Sequence, residues 1–203
     1  MARDGLLIDF GGVLTSNVFD SFAEFCRAQG LPADTVRDLF RNDPAARDLL
    51  GDLETGRVSD AGFEARFAPM LGVEPAEGLI GRLFAGMRPD ERMFEGVAAA
   101  RRAGVRTGLV SNSWGEEGYD RARFSELFDA GMISGEIGIR KPAPEIYALA
   151  AERLGRAPER CVFVDDLPGN LKPAAAIGMA TVLHRDAATT LAELEEHLGV
   201  SLR

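Results

Sequence analysis

Four polar side chains stand where short apolar runs of this chain end and a fifth precedes a helix, and together they form a chemically coherent set. Asp9 closes Leu6-Leu7-Ile8, Ser111 follows Thr107-Gly108-Leu109-Val110, and Asp165-Asp166 follow Cys161-Val162-Phe163-Val164. Lys141 lies between them in Gly138-Ile139-Arg140-Lys141-Pro142, directly before a helical pattern. A carboxylate can act as a nucleophile, a hydroxyl and an ammonium can hold developing negative charge, and adjacent carboxylates call for a cation between them. Taken singly, each residue has a plainer explanation. Asp9 suits a turn, Ser111 a helix N-cap, Lys141 a solvated surface, and Asp165-Asp166 a helix start. Their shared position argues for chemistry, because ligands of open α/β sheets bind beyond the carboxyl ends of the strands.

The elements that must position these residues are readable from periodicity. The four runs Leu6–Phe10, Thr107–Val110, Cys161–Val164 and Ala180–Leu183 lack polar alternation, as expected of parallel strands covered on both faces. Helical patterns separate them: Arg92 to Ala103 stops at Gly104, and Pro144 to Leu154 stops at Gly155. Thr190 with Glu193 forms a capping-box pattern ahead of Leu191, Leu194 and Leu198. The alternation predicts an α/β core with a doubly wound, mainly parallel sheet. Between residues 17 and 87 it stops. Val18, Phe22, Phe25 and Cys26, then Val36, Leu39 and Phe40, have helical spacing. Asp43-Pro44 and Ser59 start two further helices, and Leu79, Ile80, Leu83 and Phe84 mark a fifth. Seven of the twelve phenylalanines fall here, with Phe10 and Phe94 flanking, and they suit the core of a small bundle better than a cofactor box. The expected organisation is a core of residues 1–16 and 88–203 and an inserted helical cap of residues 17–87. Hinges are expected near Ser16 and Met87-Arg88-Pro89, and Trp114 is read as a lid contact or ordinary packing, with packing preferred.

In order and spacing these residues resemble the haloacid dehalogenase superfamily, closest to the group containing the phosphatase domain of bifunctional epoxide hydrolases. The motifs are Leu7-Ile8-Asp9-Phe10-Gly11-Gly12-Val13-Leu14, Leu109-Val110-Ser111-Asn112, Arg140-Lys141-Pro142 with Glu145-Ile146-Tyr147, and Val164-Asp165-Asp166-Leu167-Pro168-Gly169-Asn170. The resemblance implies a Rossmann-like core with a helical cap that closes over substrate. It also implies a Mg²⁺-dependent hydrolase that acts on a small phosphorylated metabolite through an aspartyl-phosphate. Asp9 would be the nucleophile. Ser111 and Lys141 would bind the phosphoryl group, with Asn112 beside them orienting loops or touching ligand. Asp9, the backbone carbonyl of Gly11 and Asp166 would ligate Mg²⁺, and Asp165 would join the first or second shell. Asn170 has the same two roles open as Asn112.

One position departs from the family pattern. Phosphatases of the superfamily usually carry an Asp two residues after the nucleophile as general acid; here it is Gly11. The departure leaves three routes: a leaving group that needs little protonation, such as an acyl or anomeric phosphate; an acid from elsewhere; or weak turnover. It also admits two rival readings, a 2-haloacid dehalogenase and a catalytically weak binding or regulatory protein. The acidic pair Asp165-Asp166 speaks against the dehalogenase.

Composition removes other classes. With 46% hydrophobic and 27% charged residues the chain is an ordinary globular one. Its net charge of −9 disfavours a nucleic-acid partner, and no run approaches the ~18 apolar residues of a membrane span. The N-terminal residues show no signal-peptide pattern. Cys26 and Cys161 are isolated in apolar stretches, which excludes a disulfide framework or CxxC zinc site and suits a reducing, cytoplasmic setting. His184 and His197 are too few for a histidine metal cluster. Asp9-Phe10-Gly11 spells the kinase magnesium triplet but lacks the preceding kinase motifs. Ser111 is not in a nucleophile elbow, and no GxGxxG or Walker A sequence occurs. Restoring the acid by Gly11→Asp is expected to raise turnover of aryl or alkyl phosphates, read as phosphate release; unchanged turnover would place the acid elsewhere.

Overall fold

Alternate side chains of each core strand point to opposite faces of a sheet, and here both faces are buried. The strands are β1 (Gly5–Ile8), β2 (Arg106–Ser111), β3 (Ala130–Ile133), β4 (Cys161–Asp165) and β5 (Ala180–Leu183). In the computed structural model, which describes residues 3–115 and 119–202, they form one all-parallel sheet in the order β3-β2-β1-β4-β5. The helices are α1 (Val18–Ala28), α2 (Thr35–Asn42), α3 (Pro44–Glu54), α4 (Asp60–Leu71), α5 (Leu79–Phe84), α6 (Glu91–Arg102), α7 (Arg121–Leu127), α8 (Ser134–Ile137), α9 (Pro144–Leu154), α10 (Pro168–Ala176) and α11 (Ala187–Leu198).

Leu6, Ile8, Leu109, Val162 and Val164 pack with residues of α6, α7 and α11 on one face. Leu7, Val110, Cys161 and Phe163 pack with residues of α9 and α10 on the other. The core is therefore doubly wound. Helices α1 to α5, all inserted after β1, bury a third cluster of their own, and this is the helical cap. The segments flanking the insertion run antiparallel side by side at Thr15 and Pro89, where the chain leaves and re-enters the core. Ser16 N–H donates to Arg88 O at 2.7 Å, and Asp90 N–H donates to Leu14 O at 2.9 Å. Among the described residues no helix is long and apolar enough to cross a membrane.

Local signals explain most boundaries. Asp43 caps α3 by accepting from Ala46 N–H at 3.0 Å, with Pro44 at the first position. Ser59 caps α4, and Gly155 ends α9 in the left-handed region. Two expectations are corrected. The cap of α11 is Asp186, which accepts from Thr189 N–H at 2.8 Å, and not Thr190. Thr190 is buried and meets His184 Nδ1 at 3.0 Å. The edge strand β3 escaped the reading because Ala130-Gly131-Met132-Ile133 is short and half exposed, with no β-branched run to mark it. Phe63 is fully buried in the cap, with its ring 5.1 Å from that of Phe67. Phe63→Ala is expected to cost about 3–5 kcal/mol, read as a lower urea midpoint.

Candidate active site

Strand order and register decide what meets at the carboxyl edge of the sheet. β1 is central, with Ile8 opposite Val164 of β4 and Leu109 of β2. The next residue on each strand is then Asp9 beside Asp165, with Ser111 closing β2. The chain runs from β1 outward through β2 to β3 and then crosses back to β4 on the other side of β1, so this edge is the switch point where open α/β sheets bind ligands.

Lys141, 2% exposed, stands at the centre. Its Nζ lies 2.7 Å from Asp9 Oδ1 and 2.7 Å from Asp165 Oδ2. Burial works against the ammonium, but the Asp9 and Asp165 carboxylates outweigh it and hold the lysine above its usual range. Asn112 fixes the lysine's backbone: Lys141 N–H donates to Asn112 Oδ1 at 2.8 Å, and Asn112 Nδ2 donates to Lys141 O at 3.1 Å. Both ends of that amide are thus engaged, although Asn112 also lines the cavity above the site.

The carboxylates differ in how fully the protein satisfies them. Asp165 is fully buried, and both its oxygens are occupied, by Leu167 N–H, Asn170 Nδ2 and Lys141. Asn170 therefore holds Asp165 and the start of α10. Asp9 Oδ1 accepts from Phe10 N–H at 2.7 Å as well as from Lys141, which leaves Oδ2 without a donor among the described residues. Burial pushes the Asp9 carboxyl well above the carboxylate range, against the pull of Lys141. Asp166 is half-buried, and no other side chain hydrogen-bonds its carboxylate among the described residues. Burial and then the Asp165 charge push it up to about 6.

Oxygens of Asp9, Asp165 and Asp166 lie within 4.8 Å of one another. Three carboxylates around one ammonium leave two negative charges uncompensated in a largely dry place. The donors are all hard oxygens, so the set fits a divalent cation such as Mg²⁺. Gly12 permits the approach. Its φ is +78°, and a Cβ there would come 2.5 Å from Asp166 Oδ2. Gly11 has ordinary φ; a Cβ there would meet only Val18 Cγ2, at 3.0 Å.

Sequence reasoning missed three contributors. Tyr119 puts its hydroxyl 2.9 Å from Ser111 Oγ and its ring tilted against Phe10 at 5.2 Å, and burial pushes its pKa to about 12, so it stays a neutral phenol. Glu54, at the end of α3, pairs with Arg140 beside the lysine, and its backbone carbonyl accepts from Ser134 Oγ. These contacts tie cap to core. Gly12 is the third. No motif announces Tyr119 or Glu54; only Arg140, adjacent to Lys141, offered a hint. Of the two readings of Trp114 the preferred one, ordinary packing, gives way to the lid contact: its ring joins the cap's apolar cluster and lines the cavity.

The sequence profile of the haloacid dehalogenase-like hydrolases matches residues 4–178, and the chain belongs to that family. It is 37% identical over 114 residues to bifunctional epoxide hydrolase 2 of Rattus norvegicus, a match covering 53% of this chain and 21% of that protein. The chain thus spans about a fifth of the length of the epoxide hydrolases it matches. A phosphatase of Mycobacterium tuberculosis is 28% identical over 203 residues, 90% of this chain and 88% of its own. A haloacid dehalogenase family enzyme of Bacteroides thetaiotaomicron, solved with magnesium and inorganic phosphate, superposes with a TM-score of 0.67 at 21% identity, covering 90% of this chain and 94% of that one. An L-2-haloacid dehalogenase of Xanthobacter autotrophicus gives 0.63 at 21% identity, with 89% and 77% covered. Both structures share the fold; neither likeness fixes the chemistry.

Gly12→Ala forces a Cβ onto the Asp166 carboxylate and strains the backbone, at a cost on the order of 1–3 kcal/mol. Mg²⁺ is expected to raise the Tm of the natural protein, and this rise should disappear in the Gly12→Ala and Asp166→Asn variants.

Proposed function

We propose that this chain is a Mg²⁺-dependent hydrolase of a small phosphorylated molecule, acting through an aspartyl-phosphate on Asp9. The observation that carries the reading is the meeting of three acidic side chains around a buried lysine, with one Asp9 oxygen uncommitted. The names of the Mycobacterium tuberculosis relative and the Bacteroides thetaiotaomicron complex support it.

Asp9, the carbonyl of Gly11 and Asp166, with Asp165 behind them, would hold Mg²⁺. When bound, the ion offsets the charge of the phosphoryl group and of the carboxylates facing it. The free Oδ2 of Asp9 attacks phosphorus and splits one difficult displacement into two easier ones. Lys141, held charged by two carboxylates, neutralises the nucleophile's neighbour and a phosphoryl oxygen. Ser111 donates to another, its hydroxyl aimed by Tyr119. Asn112 acts as a positioning residue for Lys141. Asp165 fixes both the lysine and the start of α10, and the cap excludes water.

Incubation with sugar, nucleotide, aryl and acyl phosphates plus Mg²⁺ is expected to release phosphate and to trap a labile phosphoenzyme. Asp9→Asn should abolish both. Lys141→Met should cost roughly 10²–10³ in kcat, the scale of a lost electrostatic stabiliser. Chloride release from 2-chloropropionate without Mg²⁺ would replace this reading by a dehalogenase. A folded protein with neither phosphoenzyme nor phosphate would favour a binding role.

A further inference from the structure

Above the phosphoryl site opens a cavity of about 1150 Å³ whose upper wall is aromatic. Trp114 reaches up from the loop after β2, and its ring meets Phe84 at 5.0 Å, Phe22 at 5.4 Å and Phe40 at 5.8 Å, all edge to face or tilted. Phe40, Phe84 and Trp114 are only partly buried, so ring surface remains open to the cavity. Among the described residues just two large apolar side chains are exposed, Phe19 at 38% and Leu167 at 42%, and both line this same cavity. Exposed apolar surface gathered at one concave site marks what the site receives.

Several polar groups away from the phosphoryl end are engaged already, while the Arg41 guanidinium, which lines the same cavity, has no ion pair among the described residues. Glu64 accepts from Gly78 N–H and Ile80 N–H at 3.0 and 2.9 Å, Arg37 pairs with Asp34 at 2.9 Å, and Glu54 pairs with Arg140. A body rich in hydroxyls would lose its water here and find few replacements. A flat ring would lose little and gain edge-to-face contacts.

From the aromatic wall we infer that the substrate is a phosphate monoester of an aromatic or heteroaromatic hydroxyl; the missing acid at Gly11 weighs against alkyl esters, whose alkoxides most need a proton, and does not choose between aryl and acyl phosphates. This deepens the phosphatase reading and rests on it. Asp9 Oδ2 bonds to phosphorus as the P–O bond to the ring oxygen breaks. The electron pair stays on that oxygen, delocalised into the ring, so departure needs less help from an acid than that of an alkoxide. Water's oxygen then bonds to phosphorus, and the Asp9–phosphorus bond breaks, with its electron pair returning to the carboxylate. Water's two protons end on the released aryl alcohol and on hydrogen phosphate.

The test uses phenyl phosphate, benzyl phosphate, glucose 6-phosphate and acetyl phosphate with Mg²⁺. Phenyl phosphate should exceed glucose 6-phosphate and acetyl phosphate in kcat/KM by roughly tenfold or more, the scale of a few ring contacts. Phe84→Ala should raise KM for phenyl phosphate up to roughly tenfold and leave that for acetyl phosphate unchanged. Gly11→Asp should accelerate benzyl phosphate, whose alkoxide needs a proton, more than phenyl phosphate. Trp114 is the only tryptophan of the chain. Its fluorescence in the Asp9→Asn variant therefore reports ring binding without turnover, and phenyl phosphate should quench it while acetyl phosphate does not. Quenching without turnover by the natural protein would overturn the phosphatase reading and support the ring site. Turnover of acetyl phosphate or glucose 6-phosphate at or above that of phenyl phosphate, with no quenching, would overturn the inference and leave the phosphatase reading standing.

Discussion

Lys141 Nζ sits at 2.7 Å from carboxylates on two adjacent strands, and the rest of the site follows from that contact. A buried ammonium without partners is costly, and so are buried carboxylates without a cation. Each group therefore holds the others in place, and the ends of β1 and β4 are locked to the loop that carries the lysine. Asn112 from β2 adds the third strand by gripping the same loop through its backbone. The arrangement is short of positive charge, however. That shortage is the physical reason the site fits a metal ion; burial first, and then the neighbouring Asp165 charge, raises the carboxyls of Asp9 and Asp166.

The cap is tied to this centre at two kinds of contact. Glu54 bonds to Arg140, the residue beside the lysine, and its carbonyl to Ser134. Trp114, from the loop after β2, inserts among the cap's phenylalanines. Cap and core thus share one cavity with a charged floor and an aromatic ceiling. The floor suits a phosphoryl group whatever the ester, and the ceiling discriminates among esters. Gly11 lies between the two, where a side chain would meet only Val18, so its effect is felt in what the leaving group must supply for itself.

Strong local signals made much of the architecture legible in the sequence. Buried parallel strands read as unbroken apolar runs; Asp43-Pro44, Ser59 and Gly155 carry cap chemistry in their own side chains or lack of one. The strand β3 was hidden because an edge strand needs only one buried face and Ala130-Gly131 has little to bury. Thr190 misled because its hydroxyl fits a capping pattern, while tertiary packing turned it toward His184 and gave the cap to Asp186.

The sequence by itself determined which chemical groups stand at strand ends, Asp9, Ser111, Asp165 and Asp166, set by residue type and by the apolar runs that precede them, and placed Lys141 directly before a helix. Only the tertiary structure decided how each is used. Asp165 is fully hydrogen-bonded, while Asp166 and one oxygen of Asp9 line the cavity with no other side-chain donor among the described residues, because the neighbours that satisfy a carboxylate come from distant segments. Tyr119 reaches Ser111, Glu54 reaches Arg140 and Trp114 reaches the cap for the same reason: contacts between side chains far apart in sequence depend on register and helix placement, which no local pattern encodes.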